Sequence, residues 1–148
     1  MLLGLFGAFV AATASTGCHL GGTLPEASED DIRTAVLAHM IAEADRDGRQ
    51  VRFVSAPDFE IAALNRLSGG KYTIAPMSEA VTDGDRFRAP ITREEGVQLS
   101  VEVLEVGRGQ AAVSGSYSTP KSVVVMRYQL RFARGQWRVV RSQCLGAS

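Results

Sequence analysis

The side chains from which this 148-residue chain could build a reactive or binding site are two histidines, two cysteines, sixteen carboxylates and fourteen arginines. His39 and Glu43 are four residues apart, so on a helix they share one face, one turn from each other. A histidine and a carboxylate at that spacing can share a metal or exchange a proton. A metal site needs a further ligand, however, and the other histidine, His19, lies in a glycine-containing stretch near the N-terminus. Cys18 and Cys144 show no C-x-x-C spacing, which disfavours a zinc or dithiol site. Ser114-Gly115-Ser116 is not a nucleophile elbow and falls within a strand pattern, where glycine marks a bulge or close packing. Gly107-Arg108-Gly109 lacks the third glycine of a phosphate-binding loop and precedes a strand. Asp83-Gly84-Asp85 lacks the other ligands of a calcium loop. Nothing in the spacing sets Glu94-Glu95 opposite Asp83 or Asp85, so a paired-carboxylate mechanism has no geometric basis. No catalytic residue, metal set or cofactor is assigned.

The arginines carry more information. Net charge is zero, so no overall field favours nucleic acid. The charges are nevertheless segregated. Glu26 to Glu105 holds all sixteen acidic residues and nine basic ones, whereas Val106 to Ser148 holds seven basic and no acidic residues. Arginine binds carboxylate and phosphate through a planar fork. Arg127 and Arg131 alternate onto one face of a predicted strand, and Arg138 or Arg141 from the next strand can join them. Two readings follow. The arginines pair with Glu102 and Glu105 across the sheet, or they form an open face for a small anionic ligand or an acidic protein.

The elements that position these residues follow from periodicity. Ser28 suits an N-cap, with Glu29, Asp30 and Asp31 complementing the helix dipole. Ile32, Val36, Leu37, Met40, Ile41 and Ala44 form an apolar stripe, and Asp47-Gly48 is the expected stop. Val51 to Ser55 reads as a strand. Pro57 opens a second helix, with Phe59, Ile61, Ala62, Leu64 and Leu67 on its apolar side and Ser68-Gly69-Gly70 ending it. Tyr72 to Pro76 suits a strand, and Met77 to Glu95 a polar stretch with a turn at Asp83-Gly84-Asp85. Val97 to Val103, Ala111 to Ser118, Met126 to Phe132 and Trp137 to Arg141 then read as four strands with one wet face. Turns at Gly107-Arg108-Gly109 and Arg134-Gly135 imply an antiparallel meander. The expected fold is α+β: two N-terminal helices packed on a mainly antiparallel sheet that ends in this four-stranded meander.

The first residues read differently. Leu2 to Ala14 is an uncharged apolar run, short for a membrane span and suited to the core of a secretory signal peptide. Ala12-Thr13-Ala14 fits a small-x-small cleavage rule. Ser15-Thr16-Gly17-Cys18 resembles the lipobox of bacterial lipoproteins, although Ser15 stands where that family usually has leucine. The resemblance implies cleavage after Gly17, a lipid on Cys18 and a membrane as partner. The expected division is a signal peptide over 1–18, a tether over 19–27 and one α+β domain over 28–148. If Cys18 keeps its thiol, a bridge to Cys144 is the alternative; otherwise Cys144 is expected to be a small buried residue.

Tyr128-x-Leu130-x-Phe132, a glycine turn and Gln136-Trp137-x-Val139 resemble the C-terminal hairpin of cystatin-like and nuclear-transport-factor-2-like domains. With Val51–Ser55, Phe59–Leu67 and Pro76-x-Ser78, the hairpin also resembles a loose set of small uncharacterised bacterial proteins that has no activity to carry over. The expectation is an exported or lipid-anchored protein of the bacterial cell envelope. The leading expectation is a non-enzymatic module that binds a ligand or protein through its sheet, with enzymatic activity left open. The alternatives are a purely structural envelope component and a small enzyme with a pocket acid between helix and sheet. A deep pocket holding a desolvated carboxylate or His39 would favour the enzyme. A shallow solvated face displaying Arg127 and Arg131 would favour binding.

Overall fold

In a computed structural model, residues 28–44, 51–55 and 61–148 are described. The expected leader, lipid site at Cys18, tether, Asp47-Gly48 stop and Pro57 helix start lie outside the described residues. Helix α1 spans Glu29–Glu43, and the Ser28 hydroxyl accepts a hydrogen bond from the Asp30 amide at 3.1 Å. That bond satisfies one of the free donors at the helix start. Ile32, Val36, Leu37, Met40 and Ile41 are buried, and this 3.6-residue stripe faces the sheet.

The strands are β1 (Val51–Ser55), β2 (Thr73–Pro76), β3 (Val81–Asp83), β4 (Arg86–Arg88), β5 (Glu95–Gly107), β6 (Gln110–Thr119), β7 (Ser122–Ala133) and β8 (Gln136–Ala147). Helix α2 (Ile61–Leu67) lies between β1 and β2. All strands join one sheet in the order β2-β1-β5-β6-β7-β8, with β4 pairing to β5 and β3 to β4. The expected meander is present as β5 to β8, each strand antiparallel to the next. Gly109 and the Arg134-Gly135 pair take positive φ at two of its turns, as tight hairpins of right-twisted strands require.

The first half departs from expectation. The helices are not a pair of N-terminal helices laid on the sheet. Among the described residues only α1 precedes the strands; it packs on β5, β6 and β8. Helix α2 belongs to a crossover between β1 and β2, which run parallel, and packs on β2 and α1. Parallel neighbours cannot be joined by a tight turn, so the chain must leave the sheet and return. β1 is also parallel to β5. The polar stretch after Pro76 holds a single 3₁₀ turn over Met77–Glu79 and the β3–β4 hairpin, whose Phe87 is buried.

The main core lies between α1 and the inner face of the sheet, where Leu99, Val113, Tyr128 and Leu130 are almost wholly buried. A smaller cluster of Val51, Phe53 and Phe87 lies on the opposite face of β1. Register explains the division. Val54 sits opposite Leu99 and faces the main core, while Phe53, opposite Gln98, faces the other way. Gly96 admits the Phe53 ring: a Cβ there would collide with the ring and with the Val51 carbonyl. Arg52 points into the main core side and is fully buried. Its guanidinium donates to the Ala44 carbonyl at the end of α1 (3.0 Å) and lies over the Tyr72 ring.

Candidate functional site

Because alternate residues of β5 to β8 fill the core, their neighbours are displayed on the outer face. The registers arrange that face in transverse rows. One row runs Glu102–Ser114–Arg127–Gln143, and the next runs Glu105–Ala112–Gln129–Arg141. A third runs Gly107–Gln110–Arg131–Arg138. In the first two rows acidic side chains thus stand on β5 and basic ones on β7 or β8, with the short side chains of Ser114 and Ala112 on β6 between them. Over the hydroxyl-bearing part of the face, the Ser100 and Ser116 hydroxyls meet at 2.6 Å.

Arg127 and Arg131, the expected binding residues, are brought together here with Arg138 and Arg141, and all four are exposed. None of the four lies within 4 Å of a carboxylate among the described residues. The expected pairing with Glu102 and Glu105 does not form. Strands are about 4.8 Å apart, so β5 and β7 are separated by roughly 10 Å with β6 between them. The carboxylates that do form ion pairs meet other cations: Asp83 binds Arg88 (2.7 Å), Glu95 binds Arg86 (3.0 Å) and Asp85 binds Lys121 (3.1 Å). The Lys121 ammonium, chiefly by hydrogen bonding, holds the Asp85 carboxyl below its usual range.

The outer face is concave around the second row. A depression of about 550 Å³ is lined by Glu105, Arg108, Ala112, Arg127, Gln129, Arg131 and Val140. It is open, polar and basic on one side. In such a setting guanidinium groups can form bidentate contacts with carboxylate or phosphate.

The inner side carries a second constellation. The His39 Nε2 lies 3.3 Å from Glu43 Oε1, as the helical spacing predicts. Two residues that sequence reasoning did not single out complete it. The Tyr117 hydroxyl donates to Glu43 Oε2 (3.2 Å) and meets the Tyr128 hydroxyl at 3.2 Å. The Tyr128 ring packs edge-on against His39. Burial pushes the Tyr128 phenol up to about 12 despite the lowering effect of its bond to Tyr117. Burial, then the Tyr128 hydroxyl and the Glu43 charge, raise Tyr117 further above the ordinary tyrosine range. An acid between helix and sheet is therefore present at the edge of a cleft of about 290 Å³ lined by Glu43, Val97, Tyr117, Thr119, Ser122 and Val124. Glu43 Oε2 accepts from Tyr117 while Oε1 lies 3.3 Å from the His39 Nε2, an arrangement that ties the C-terminal half of α1 to β6. Among the described residues no three potential metal ligands cluster around it or elsewhere.

Tyr117 and Tyr128 were legible only as apolar positions in alternating strands, because their hydroxyl partners come from a distant helix. Cys144, expected to be buried, is exposed. It lies on β8, the last strand of the sheet among the described residues. The described residues contain no helix long and apolar enough to cross a membrane. No protein-family model, curated protein or solved structure matches the chain.

Proposed function

We propose that this chain is a binding module that holds an acidic segment of a protein partner on the outer face of its sheet. The observation that carries the reading is that, among the described residues, no carboxylate pairs with the exposed Arg127 and Arg131, which line a depression of about 550 Å³. A small molecule gains affinity chiefly by being enclosed. A shallow face with arginines spread over three transverse rows suits an extended chain that meets them in succession. Glu102 and Glu105 on the far side would turn a bound acidic segment so that its carboxylates lie over β7 and β8.

The first residues support a location. We infer export to a bacterial cell envelope, with a lipid on Cys18 as the tether, from the uncharged run Leu2–Ala14 and the Ser15-Thr16-Gly17-Cys18 stretch. One lipid chain holds a membrane only marginally, so stable anchoring needs further acylation or protein contacts.

Two experiments test these readings. Proteins captured by the wild-type chain are compared with those captured by an Arg127→Ala/Arg131→Ala variant. Loss of acidic partners is expected, and identical capture would remove the basic-face reading. Mass spectrometry of the mature N-terminus should find acylated Cys18; an unmodified Cys18 thiol would refute the tether.

A further inference from the structure

We propose that a cleft beside the first half of α1 binds a small neutral molecule that joins an apolar ring to a carbonyl group, as an aromatic ketone, ester or amide does, with the carbonyl accepting from the Trp137 indole. The cleft encloses about 390 Å³ between three elements. Asp31, Ala35 and Ala38 of α1 line one wall, at the spacing that puts them on one helical face. Leu67 at the end of α2 closes a second side, and Phe132 and Trp137 of the β7–β8 hairpin supply the third. Opposite the two rings the helix offers only the methyl groups of Ala35 and Ala38, and this leaves the space.

Trp137 gives the cleft its chemistry. The residue is only 8% exposed, and its indole Nε1 is buried with no hydrogen-bond acceptor among the described residues. Nearly all buried donors are satisfied, so one left without an acceptor on the wall of an apolar cleft points to a partner from outside the chain. The Trp137 and Phe132 rings lie 5.4 Å apart and tilted by 58°, a pair against which a further ring can pack. A donor in such a setting discriminates sharply, because a ligand of the same shape without an acceptor leaves it unpaired. Asp31 is the one charged side chain among the described lining residues, so it repels a carboxylate and favours a neutral acceptor. The site is separate from the outer depression, whose lining residues it does not share.

The test uses the full chain, whose single tryptophan gives one indole signal in a proton–nitrogen correlation spectrum. Acetophenone and ethylbenzene share a shape and differ by a carbonyl in place of a methylene. Acetophenone is expected to move the indole proton downfield in a saturable way. It should bind about tenfold more tightly than ethylbenzene, the effect of one hydrogen bond to a buried donor. Benzoate should bind more weakly than acetophenone, and Asp31→Asn should narrow that gap. Ala38→Leu, which fills the cleft from the helix side, should abolish the shift while the backbone amide signals stay dispersed. No saturable shift in the parent chain, equal affinities for acetophenone and ethylbenzene, or a shift that survives Ala38→Leu would overturn the site. Benzoate bound as tightly as acetophenone would overturn the neutral ligand class. The two-probe comparison in the parent chain decides the matter even where a variant fails to fold.

Discussion

Arg127 stands opposite Ser114, and Ser114 in turn stands opposite Glu102, so one whole strand separates the arginine from the nearest acid in its row. This relationship removes the cross-sheet pairing of the basic strands with Glu102 and Glu105. Salt bridges would have made the basic C-terminal strands part of the sheet's own cohesion. With β6 interposed, Arg127 and Arg131 meet no carboxylate among the described residues.

The first prediction follows directly. Replacing both Arg127 and Arg131 by alanine should leave stability within about 0.5 kcal/mol of the parent, because exposed side chains without partners contribute little. Urea denaturation measures it, and a loss of several kcal/mol would show that the arginines hold the fold together.

Arg52 should behave in the opposite way. It is fully buried and donates to the Ala44 and Val51 carbonyls. Arg52→Ala removes donors from the end of α1 and leaves a void, so a loss of about 3 kcal/mol is expected. Arg52→Lys should recover only part of it, since one ammonium cannot reproduce a planar fork. Thermal and chemical denaturation of both variants check this; full recovery by lysine would show that charge alone suffices.

Gly115 sits under α1, where a Cβ would come within 2.8 Å of the Tyr128 ring and 3.0 Å of Met40 Sδ. Gly115→Ala should therefore destabilise by about 1–3 kcal/mol through overpacking. A Gly115→Ala/Met40→Ala double variant should lose less than the sum of the two single changes, because the smaller side chain makes room. Strict additivity in a double-mutant cycle would contradict the close packing.

The tyrosine pair predicts a pH dependence. Tyr128 is raised from 10.0 to about 12 and Tyr117 is raised further, so the folded state keeps protons that the unfolded state loses. Their contribution to stability is fully present below pH 10. It is lost as pH rises through the interval from about 10 towards 12, because the unfolded state then binds fewer protons than the native state. Denaturant midpoints should fall across this interval, and phenolate absorbance of Tyr117 and Tyr128 should appear only with unfolding. A Tyr117→Phe/Tyr128→Phe variant should show a shallower fall. An equally steep fall in that variant would assign the effect to other groups.

Much of the fold was legible from short-range pattern. Ile32, Val36, Leu37, Met40 and Ile41 recur at helical spacing, and Val97 to Val139 alternate at strand spacing, because each element must bury one face. The β1–β2 parallel pairing was not legible: Val51 to Ser55 reads the same whichever neighbour it takes. The Phe87 hairpin was missed because three-residue strands carry too little periodicity to register. At the candidate site, Arg127 and Arg131 could be placed on one face by alternation alone. Whether an acid met them depended on strand order, which no local pattern encodes.

The sequence by itself therefore determined which side chains face in and which face out along the regular stretches of the last four strands, since alternation is a property of consecutive residues, but not at the register shifts after Val103 and Val139. It also determined the His39–Glu43 pairing, a consequence of one helical turn. Only the tertiary structure decided which residues meet across elements. It brought Tyr117 and Tyr128 to Glu43, put Arg52 under the end of α1, and set β6 between the acids of β5 and the arginines of β7. The physical reason is that register and strand order are fixed by the joint burial of all the apolar faces, a condition no single segment can satisfy or reveal.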